Sequence, residues 1–190
     1  MVQRGTRNME LIIRIWVALG SRFQVLVLRA RGVRIDGKCW FGGVHIPRNP
    51  WDIAIGSGAM LDKNVTLLSS GQRGQKPRII VGPQTYINRN TFIDASELVE
   101  IGAGCLIGPF CYLTDHDHDL QSNCGALISR ATIIEKGCWL GAHVTVLKGV
   151  TVGAGSIVGA GSVVTKSVPR NSLAVGNPAR VIRARELPEE

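Results

Sequence analysis

The chain has 190 residues, which suits one domain with a substantial buried core. A hydrophobic content of 45% beside a charged content of 19% excludes an intrinsically disordered chain. The net charge of +8 is uneven, because residues 1–38 hold eight basic side chains against two acidic ones. A basic excess can attract nucleic acid, but no nucleic-acid-binding module is recognisable, so we expect no nucleic acid partner.

The first predicted element is a basic helical segment over residues 1–34. Residues 9–28 are rich in apolar side chains, but Arg14 and Arg22 interrupt them. No apolar run approaches the roughly 20 residues that a membrane-spanning helix needs. The pattern predicts an amphipathic helix that either docks on the rest of the protein or rests on an anionic membrane surface. We therefore expect a cytoplasmic protein, with peripheral contact at the inner membrane face as an open alternative.

A six-residue period dominates the next part of the chain, over residues 35–180. In the C-terminal half, aliphatic residues recur without a slip at Ile134, Leu140, Val146, Val152, Val158 and Val164. Three shorter series with the same spacing lie upstream: Ile55, Leu61 and Leu67; Val81, Ile87 and Ile93; Ile101, Ile107 and Leu113. Neither the 3.6-residue period of a helix nor the alternation of an ordinary strand explains this spacing.

Each six-residue unit is interpreted as a short strand and a turn, with the aliphatic residue pointing inward. We expect the Gly, Asp or Asn directly after it to tolerate the backbone angles of a corner. The position two residues before it should also face inward and hold small side chains: Ala59, Val65, Thr85, Thr91, Cys105, Cys111, Cys138, Val144, Val150, Ser156 and Ser162. Stacked units pair as parallel strands, so the prediction is an all-β, parallel β-helix of about five coils over residues 35–180, followed by a tail over 181–190.

The same register places the cysteines and predicts an oligomer. Four cysteines take the small inward position and Cys124 lies in a loop, so neither a disulfide framework nor a metal site is expected. The outward position between the two inward ones holds five of the ten aromatic side chains: Trp40, Tyr86, Phe92, Tyr112 and Trp139. Aromatic side chains on an outer face favour cover by a sister subunit, with ligand stacking as the alternative.

Two polar segments interrupt the repeat, over residues 68–78 and 114–131. The second segment holds a run from Asp115 to Asp119 in which aspartates alternate with His116 and His118. A histidine with an ordinary pKa of about 6.5 can take a hydroxyl proton near neutral pH, and a neighbouring carboxylate or carbonyl can fix its tautomer. The cluster favours general-base chemistry, with a solvated acidic loop tip or a metal site as alternatives.

The hexapeptide coils, the protruding histidine-bearing loop and the run from Lys148 through Thr165-Lys166 to Arg180 resemble the left-handed β-helix acyltransferases. The chain is most similar to the maltose and galactoside O-acetyltransferases and to polysaccharide-biosynthesis O-acetyltransferases, over roughly residues 53–183. The resemblance implies a left-handed coil and a homotrimer whose adjacent prisms bind acetyl-CoA and the acceptor between them. It also implies that the acceptor is the hydroxyl of a sugar or of a polysaccharide precursor. The charge of the basic N-terminal segment would suit a lipid-linked acceptor, and no metal is expected.

Site residues follow from the same resemblance. His116, which comes after Thr114 and Asp115, would be the general base, with His118 in reserve. Asn88 and Asp94 match acceptor-contacting positions, and His118 is expected to contact the acceptor as well. The positions that match the coenzyme site are Trp139, Ala142, Ala160, Thr165, Lys166, Arg180 and Arg183. The two arginines are expected at the coenzyme phosphates, because guanidinium groups suit strongly anionic ligands.

Three other interpretations remain open. A metal-dependent lyase of the γ-carbonic anhydrase kind shares the fold, but its second paired histidine would fall on Lys148, five residues after His143. An N-acetyltransferase acting on an amino sugar, or an enzyme acting on a serine hydroxyl, would use the same base chemistry. A non-enzymatic scaffold or membrane-surface adaptor would use the basic N-terminal segment instead.

Overall fold

The computed structural model describes residues 2–119 and 126–184, with side chains from Ile15 onward. It begins with one long helix, α1 (Val2–Ala30). In the described part of the chain, short strands and tight turns follow, with a single turn of 3-10 helix at Pro50–Asp52. The prediction of a mostly-β protein with one N-terminal helix is confirmed.

Three sheets contain almost all of the described strands. Sheet I consists of β1 (Arg34–Ile35), β3 (Ile53–Ile55), β6 (Ile79–Val81), β9 (Val99–Ile101), β14 (Thr132–Ile134) and β17 (Thr151–Val152). Sheet II consists of β2 (Trp40–Phe41), β4 (Met60–Leu61), β7 (Tyr86–Ile87), β10 (Leu106–Ile107), β15 (Trp139–Leu140), β18 (Ile157–Val158), β20 (Ser172–Gly176) and β21 (Ala179–Ala184). Sheet III consists of β5 (Thr66–Ser69), β8 (Phe92–Ala95), β11 (Tyr112–Thr114), β16 (Thr145–Val146) and β19 (Val163–Val164). A separate antiparallel hairpin joins β12 (His116–His118) to β13 (Leu127–Ser129).

The chain visits sheets I, II and III in rotation, so each turn of the coil adds one strand to each sheet. Neighbouring strands within the three sheets are parallel, except for the final pair of β20 and β21. For example, Leu106 of β10 lies opposite Tyr86 of the coil before and Trp139 of the coil after. The parallel pairing that the six-residue repeat predicts is therefore confirmed.

The interior of the coil is filled by the two inward positions of each unit. Every aliphatic residue of the six-residue series is buried, from Ile55 to Val164. The residues predicted at the small inward position are buried as well, including Cys105, Cys111 and Cys138, except that Cys39 of the first coil is only partly buried. Cys124 lies outside the described residues. The core that the repeat predicts is thus confirmed from Ile55 to Val164.

The glycines directly after the inward aliphatic residues have a different role from the predicted one. Gly82, Gly102 and Gly141 do not adopt a positive φ. Instead, a Cβ added to Gly82 would lie 2.5 Å from the backbone nitrogen of Ala103, and one added to Gly141 would lie 2.6 Å from that of Ala160. These positions lack a side chain because the backbone of the next coil approaches too closely, so the expectation that they relieve corner angles is wrong.

In the C-terminal coils, the strained corners lie three residues before the inward aliphatic residues from Leu140 to Val164. Left-handed backbone, with φ between 58° and 73°, recurs at residues 137, 143, 149, 155 and 161. Four of these positions are glycine, which adopts this conformation without a steric penalty. The fifth is His143, whose ring stacks on Phe110 with centroids 4.9 Å apart. His143 is therefore a corner residue of the coil.

The C-terminal half of α1 covers the open end of the coil. Ser21, Val25 and Leu28 are buried against it. The amide of Phe41 donates to Ser21 Oγ at 2.8 Å, and Gln24 donates from Nε2 to the carbonyl of Val44 at 2.8 Å. These bonds satisfy first-coil backbone groups that have no further coil to pair with. The predicted docking of the amphipathic helix is confirmed.

Among the described helical residues, no stretch combines the length and apolar content needed to cross a membrane.

The C-terminal end of the coil is closed by the pair of β20 and β21. Leu173 lies opposite Arg183, and Val175 lies opposite Arg180. Residues 181–184 of the predicted tail continue β21 as a paired strand. Residues 185–190 lie outside the described part of the chain.

We expect Gly102→Ala to lower the free energy of unfolding by about 1–3 kcal/mol, because its new Cβ would lie 2.6 Å from the backbone nitrogen of Lys136. Gly20→Ala is the matched control, since this helical position has no atom within 4 Å and alanine favours helix. Urea unfolding followed by circular dichroism measures both variants. A Gly102→Ala protein as stable as the wild type would contradict the close-approach explanation.

Candidate active site

A cleft of about 300 Å³ opens where the strands of sheet III end. Thr114 of β11 lies opposite Asp94 of β8, and the hairpin of β12 and β13 leaves the coil immediately afterwards. The lining consists of Asp94, Tyr112, Thr114, His116, Asp117, His118, Leu147 and Lys148. Three of the sequence-predicted site residues therefore meet in one cleft: Asp94, His116 and His118.

The imidazole of His116 is held between two carboxylates. Its side chain is 14% exposed, its Nδ1 lies 2.8 Å from Asp115 Oδ1, and its Nε2 lies 3.8 Å from Asp94 Oδ2. An ionised carboxylate only accepts hydrogen bonds, so Nδ1 carries the proton that it donates to Asp115. In the neutral ring, Nε2 then has a free lone pair on the side of Asp94. This is the tautomer that a general base acting through Nε2 requires.

Asp115 is fully buried and ties this histidine to the coil. Its carboxylate accepts the backbone N–H of Ser96 at 2.9 Å, of Glu97 at 2.6 Å and of Leu98 at 2.5 Å. These donors lie in the irregular step between β8 and β9. Asp115 is not among the site residues predicted from the sequence, although its position directly between the last residue of a strand and a candidate base was a signal.

Asp94 combines burial with an unsatisfied oxygen. Its side chain is 15% exposed, and its Oδ1 is buried without a hydrogen-bond partner among the described residues. Burial raises the pKa of Asp94 above its ordinary value, and Asp115 adds to the rise, while His116 and Arg48 oppose it. The exposed part of the carboxylate lines the cleft beside the candidate base, where it can accept a hydrogen bond from a bound hydroxyl.

An ion pair forms the outer rim of the cleft. Lys148 Nζ lies 3.0 Å from Asp117 Oδ2. The hydrogen bond from Lys148 is the main reason that the pKa of Asp117 lies below its ordinary value. His118 is exposed on the same rim, and its backbone N–H donates to Asp117 Oδ1 at 2.9 Å. Lys148 is also the residue at which the spacing of a γ-carbonic anhydrase would require a second histidine, five residues after His143, and its ammonium is paired with Asp117.

Asn88 lies apart from this cleft. It follows β7, and its Oδ1 accepts the backbone N–H of Arg89 at 2.8 Å. Its backbone N–H donates to the carbonyl of Ile107 at 2.9 Å. Within one chain, Asn88 therefore stabilises a turn between sheets II and III and does not line the histidine cleft.

The residues predicted to bind the coenzyme also lie away from His116. Trp139 stands on the outer face of sheet II and is 51% exposed. Ala142 and Ala160 occupy stacked turns after that sheet, joined by a bond of 2.9 Å from the amide of Gly161 to the carbonyl of Ala142. Exposed side chains complete the set: Thr165 and Lys166 after β19, and Arg180 and Arg183 on β21. None of these residues lines the histidine cleft of the same chain.

The described residues contain no cluster of three or more His, Cys, Asp or Glu side chains that could hold a metal ion.

Known proteins resemble both the repeat and the whole coil. The family model described as bacterial transferase hexapeptide (six repeats) matches residues 131–166. WcaF of Escherichia coli (strain K12), by name an acetyltransferase of colanic acid biosynthesis, is 34% identical over 67% of this chain and 70% of its own length. Rv3034c of Mycobacterium tuberculosis, by name an acetyltransferase, is 30% identical over 93% of this chain. The chain spans only 58% of the length of that mycobacterial relative.

Among solved structures, the chain is similar to the hexapeptide-repeat acetyltransferase VCA0836 of Vibrio cholerae, crystallised with acetyl-CoA. The two share 32% identity and a TM-score of 0.56, over 68% of this chain and 72% of the other.

We expect Asp94→Asn to stabilise the fold at neutral pH. The raised pKa of Asp94 means that its contribution to stability is present below the ordinary value of 3.8 and is lost as pH rises through the raised value. An amide does not ionise, so the gain of the variant over the wild type should appear at pH 7 and vanish near pH 3. Thermal unfolding across this range measures it, and a gain that persists unchanged at low pH would contradict the burial argument.

We expect Asp115→Asn to release His116 and to lower the free energy of unfolding by about 1–3 kcal/mol, because an amide cannot accept three backbone N–H bonds and the imidazole proton together. ¹⁵N NMR should find the His116 proton on Nδ1 in the wild type and partly on Nε2 in the variant. The exposed Asp117→Asn is the matched control and should change neither quantity. An unchanged Nδ1 proton in Asp115→Asn would show that Asp115 does not set the tautomer.

Proposed function

The chain belongs to the hexapeptide-repeat acetyltransferases, and on that premise we propose that it transfers an acetyl group from acetyl-CoA to a hydroxyl of a sugar or of a polysaccharide precursor. The observation that carries this proposal is the state of His116. Its Nδ1 is bound to buried Asp115 and its Nε2 faces a cleft beside Asp94. A base whose unprotonated nitrogen faces the cleft is what activation of a hydroxyl requires.

In the proposed mechanism, the acceptor and acetyl-CoA are bound at the same time. His116 Nε2 removes the hydroxyl proton while the oxygen attacks the thioester carbonyl. The C–S bond then breaks, and the imidazolium returns the proton to the leaving thiolate of coenzyme A. Base catalysis of this kind contributes about 10² to 10⁴ in rate, and holding both reactants together contributes up to about 7–11 kcal/mol of the barrier.

Asp94 has two roles in this scheme. Its Oδ2, 3.8 Å from His116 Nε2, stabilises the imidazolium that forms when the base is protonated. The exposed part of its carboxylate, which lines the cleft, accepts a second hydroxyl of the acceptor and so orients the sugar. Desolvation of a carboxylate costs stability in the free protein, and substrate hydrogen bonds offset this cost on binding.

The coenzyme site is completed by a second chain in a homotrimer of left-handed coils. The residues that match the coenzyme site lie on sheet II and the turns after it, whereas His116 lies at the end of sheet III. The outer face of sheet II carries an apolar row that is half exposed: Met60 (45%), Leu106 (50%) and Trp139 (51%). Side-by-side contact of prisms would cover this row and bring the coenzyme residues of one chain to the cleft of its neighbour. Asn88 would reach an acceptor by the same association.

The acceptor class is inferred from the cleft and from the relatives. A cleft of about 300 Å³ with carboxylates and a lysine suits a sugar ring. WcaF is named for the biosynthesis of colanic acid, which supports a saccharide precursor as the acceptor. An amine on an amino sugar is the second candidate, because His116 could deprotonate it in the same way.

We expect His116→Ala to retain the fold and coenzyme binding while kcat falls about 10²- to 10⁴-fold. Release of free thiol from acetyl-CoA, with a panel of sugars, amino sugars and serine, measures the effect and names the acceptor. His118→Ala is the matched control and should retain most of the activity, because its exposed ring does not contact Asp115 or Asp94. Near-normal turnover in His116→Ala would refute the base assignment, and absence of coenzyme binding in the wild type would favour a scaffold.

Mixed oligomers test the shared site. We expect His116→Ala and the double variant Arg180→Ala/Arg183→Ala to be inactive when each is purified alone. Co-expressed in equal amounts, they should regain activity at about a quarter of the sites, where an intact base meets intact arginines from another chain. No recovery in verified mixed oligomers would mean that each chain supplies its own complete site.

A further inference from the structure

The helix α1 has an apolar face that the coil does not cover. Its docked face contains Ser21, Val25 and Leu28, all buried. The opposite face carries four large exposed side chains: Trp16 (70%), Leu19 (49%), Phe23 (69%) and Leu26 (62%). At 100° per residue, these four positions lie on average about half a turn away from the docked ones. We call this set the outer face of α1.

Positive charge accompanies the outer face. The helix from Val2 to Ala30 contains five arginines and one acidic residue, Glu10. Arg22 is exposed beside the outer face, whereas Arg29 is used within the fold and donates to the carbonyls of Ile35 and Gly37. The apolar strip therefore lies on the most basic part of the chain.

We propose that the outer face of α1 binds the surface of an anionic lipid bilayer, with the helix lying in the interface and the coil projecting away from it. Trp and Phe on one side of a helix, with an exposed arginine beside them, are typical of an interfacial helix. The anionic headgroups complement the basic segment, and the apolar side chains enter the acyl boundary. This function goes beyond acetyl transfer and does not depend on it.

Charge distinguishes a bilayer from a second copy of the chain as the occupant. Pairing two outer faces would bring two helices of net positive charge together, and like charges oppose that contact. A bilayer that contains anionic lipid removes this conflict. Prisms that associate around an axis parallel to their own would also present several outer faces on the same side, which strengthens a weak single contact.

Vesicle flotation of the full-length protein tests the proposal. The wild type should float with vesicles of phosphatidylcholine and phosphatidylglycerol, and the bound fraction should fall at about 1 M salt, where the Debye length is about 3 Å. The outer-face variant Trp16→Ser/Leu19→Ser/Phe23→Ser/Leu26→Ser should bind at least about tenfold more weakly. Arg22→Gln should weaken binding to anionic vesicles alone. Thermal unfolding should be unchanged in the outer-face variant, because the docked face is intact.

The matched control replaces exposed apolar residues elsewhere: Leu127→Ser/Ile128→Ser, at sites 45% and 42% exposed. This control should float like the wild type. Equal flotation of the outer-face variant, or no flotation of the wild type, would overturn the proposal. A smaller oligomer in the outer-face variant, with no vesicle binding in the wild type, would assign the face to a second copy. Thiol release with soluble acceptors is measured separately, so its failure would bear on the proposed enzyme alone.

Discussion

Backbone hydrogen bonds between successive coils are the constraint on which the rest of the structure depends. The amide of Tyr86 donates to the carbonyl of Cys105 at 2.9 Å, and that of Leu106 donates to the carbonyl of Cys138 at 2.8 Å. Coils joined in this way are about 4.8 Å apart, so no bulky group fits where their turns approach. This spacing explains glycine at Gly102 and Gly141, small residues at the narrow inward position, and the placement of large aromatic side chains outside.

The candidate base is held by the same requirement for paired backbone groups. Between β8 and β9 the chain leaves the regular ladder, and the amides of Ser96, Glu97 and Leu98 point at a side chain. Asp115 supplies the acceptor for all three and still binds His116 at 2.8 Å. A side chain so fully determined by the fold orients the imidazole more rigidly than a mobile loop could. The site therefore lies where the regular coil is interrupted. Asp115, which accepts the backbone amides of the irregular step, also holds the candidate base in place.

Sequence could predict what depends on the repeat, but not what depends on a single tertiary contact. The inward residues from Ile55 to Val164 were predictable because each must be apolar in order to be buried, and this requirement recurs every six residues. The reason for glycine at Gly82 was not, because the approaching backbone of Ala103 belongs to the next coil. Asp115 was overlooked because its donors lie 17 to 19 residues earlier in the chain. The matches of Trp139 and Arg180 came from resemblance, and one chain alone does not bring them to His116.

A stacked coil has two open ends, and each end needs a cap. At the C-terminal end the chain folds back as β21, which pairs with β20. At the N-terminal end, α1 caps the coil, and a helix needs only one apolar face for this role. The exposed Trp16 and Phe23 on its other face are thus not required by the cap. The cleft of β11 lies three coils from this end, roughly 15 Å along the axis. A helix in the membrane surface would therefore hold the cleft at a short, fixed height above the lipid.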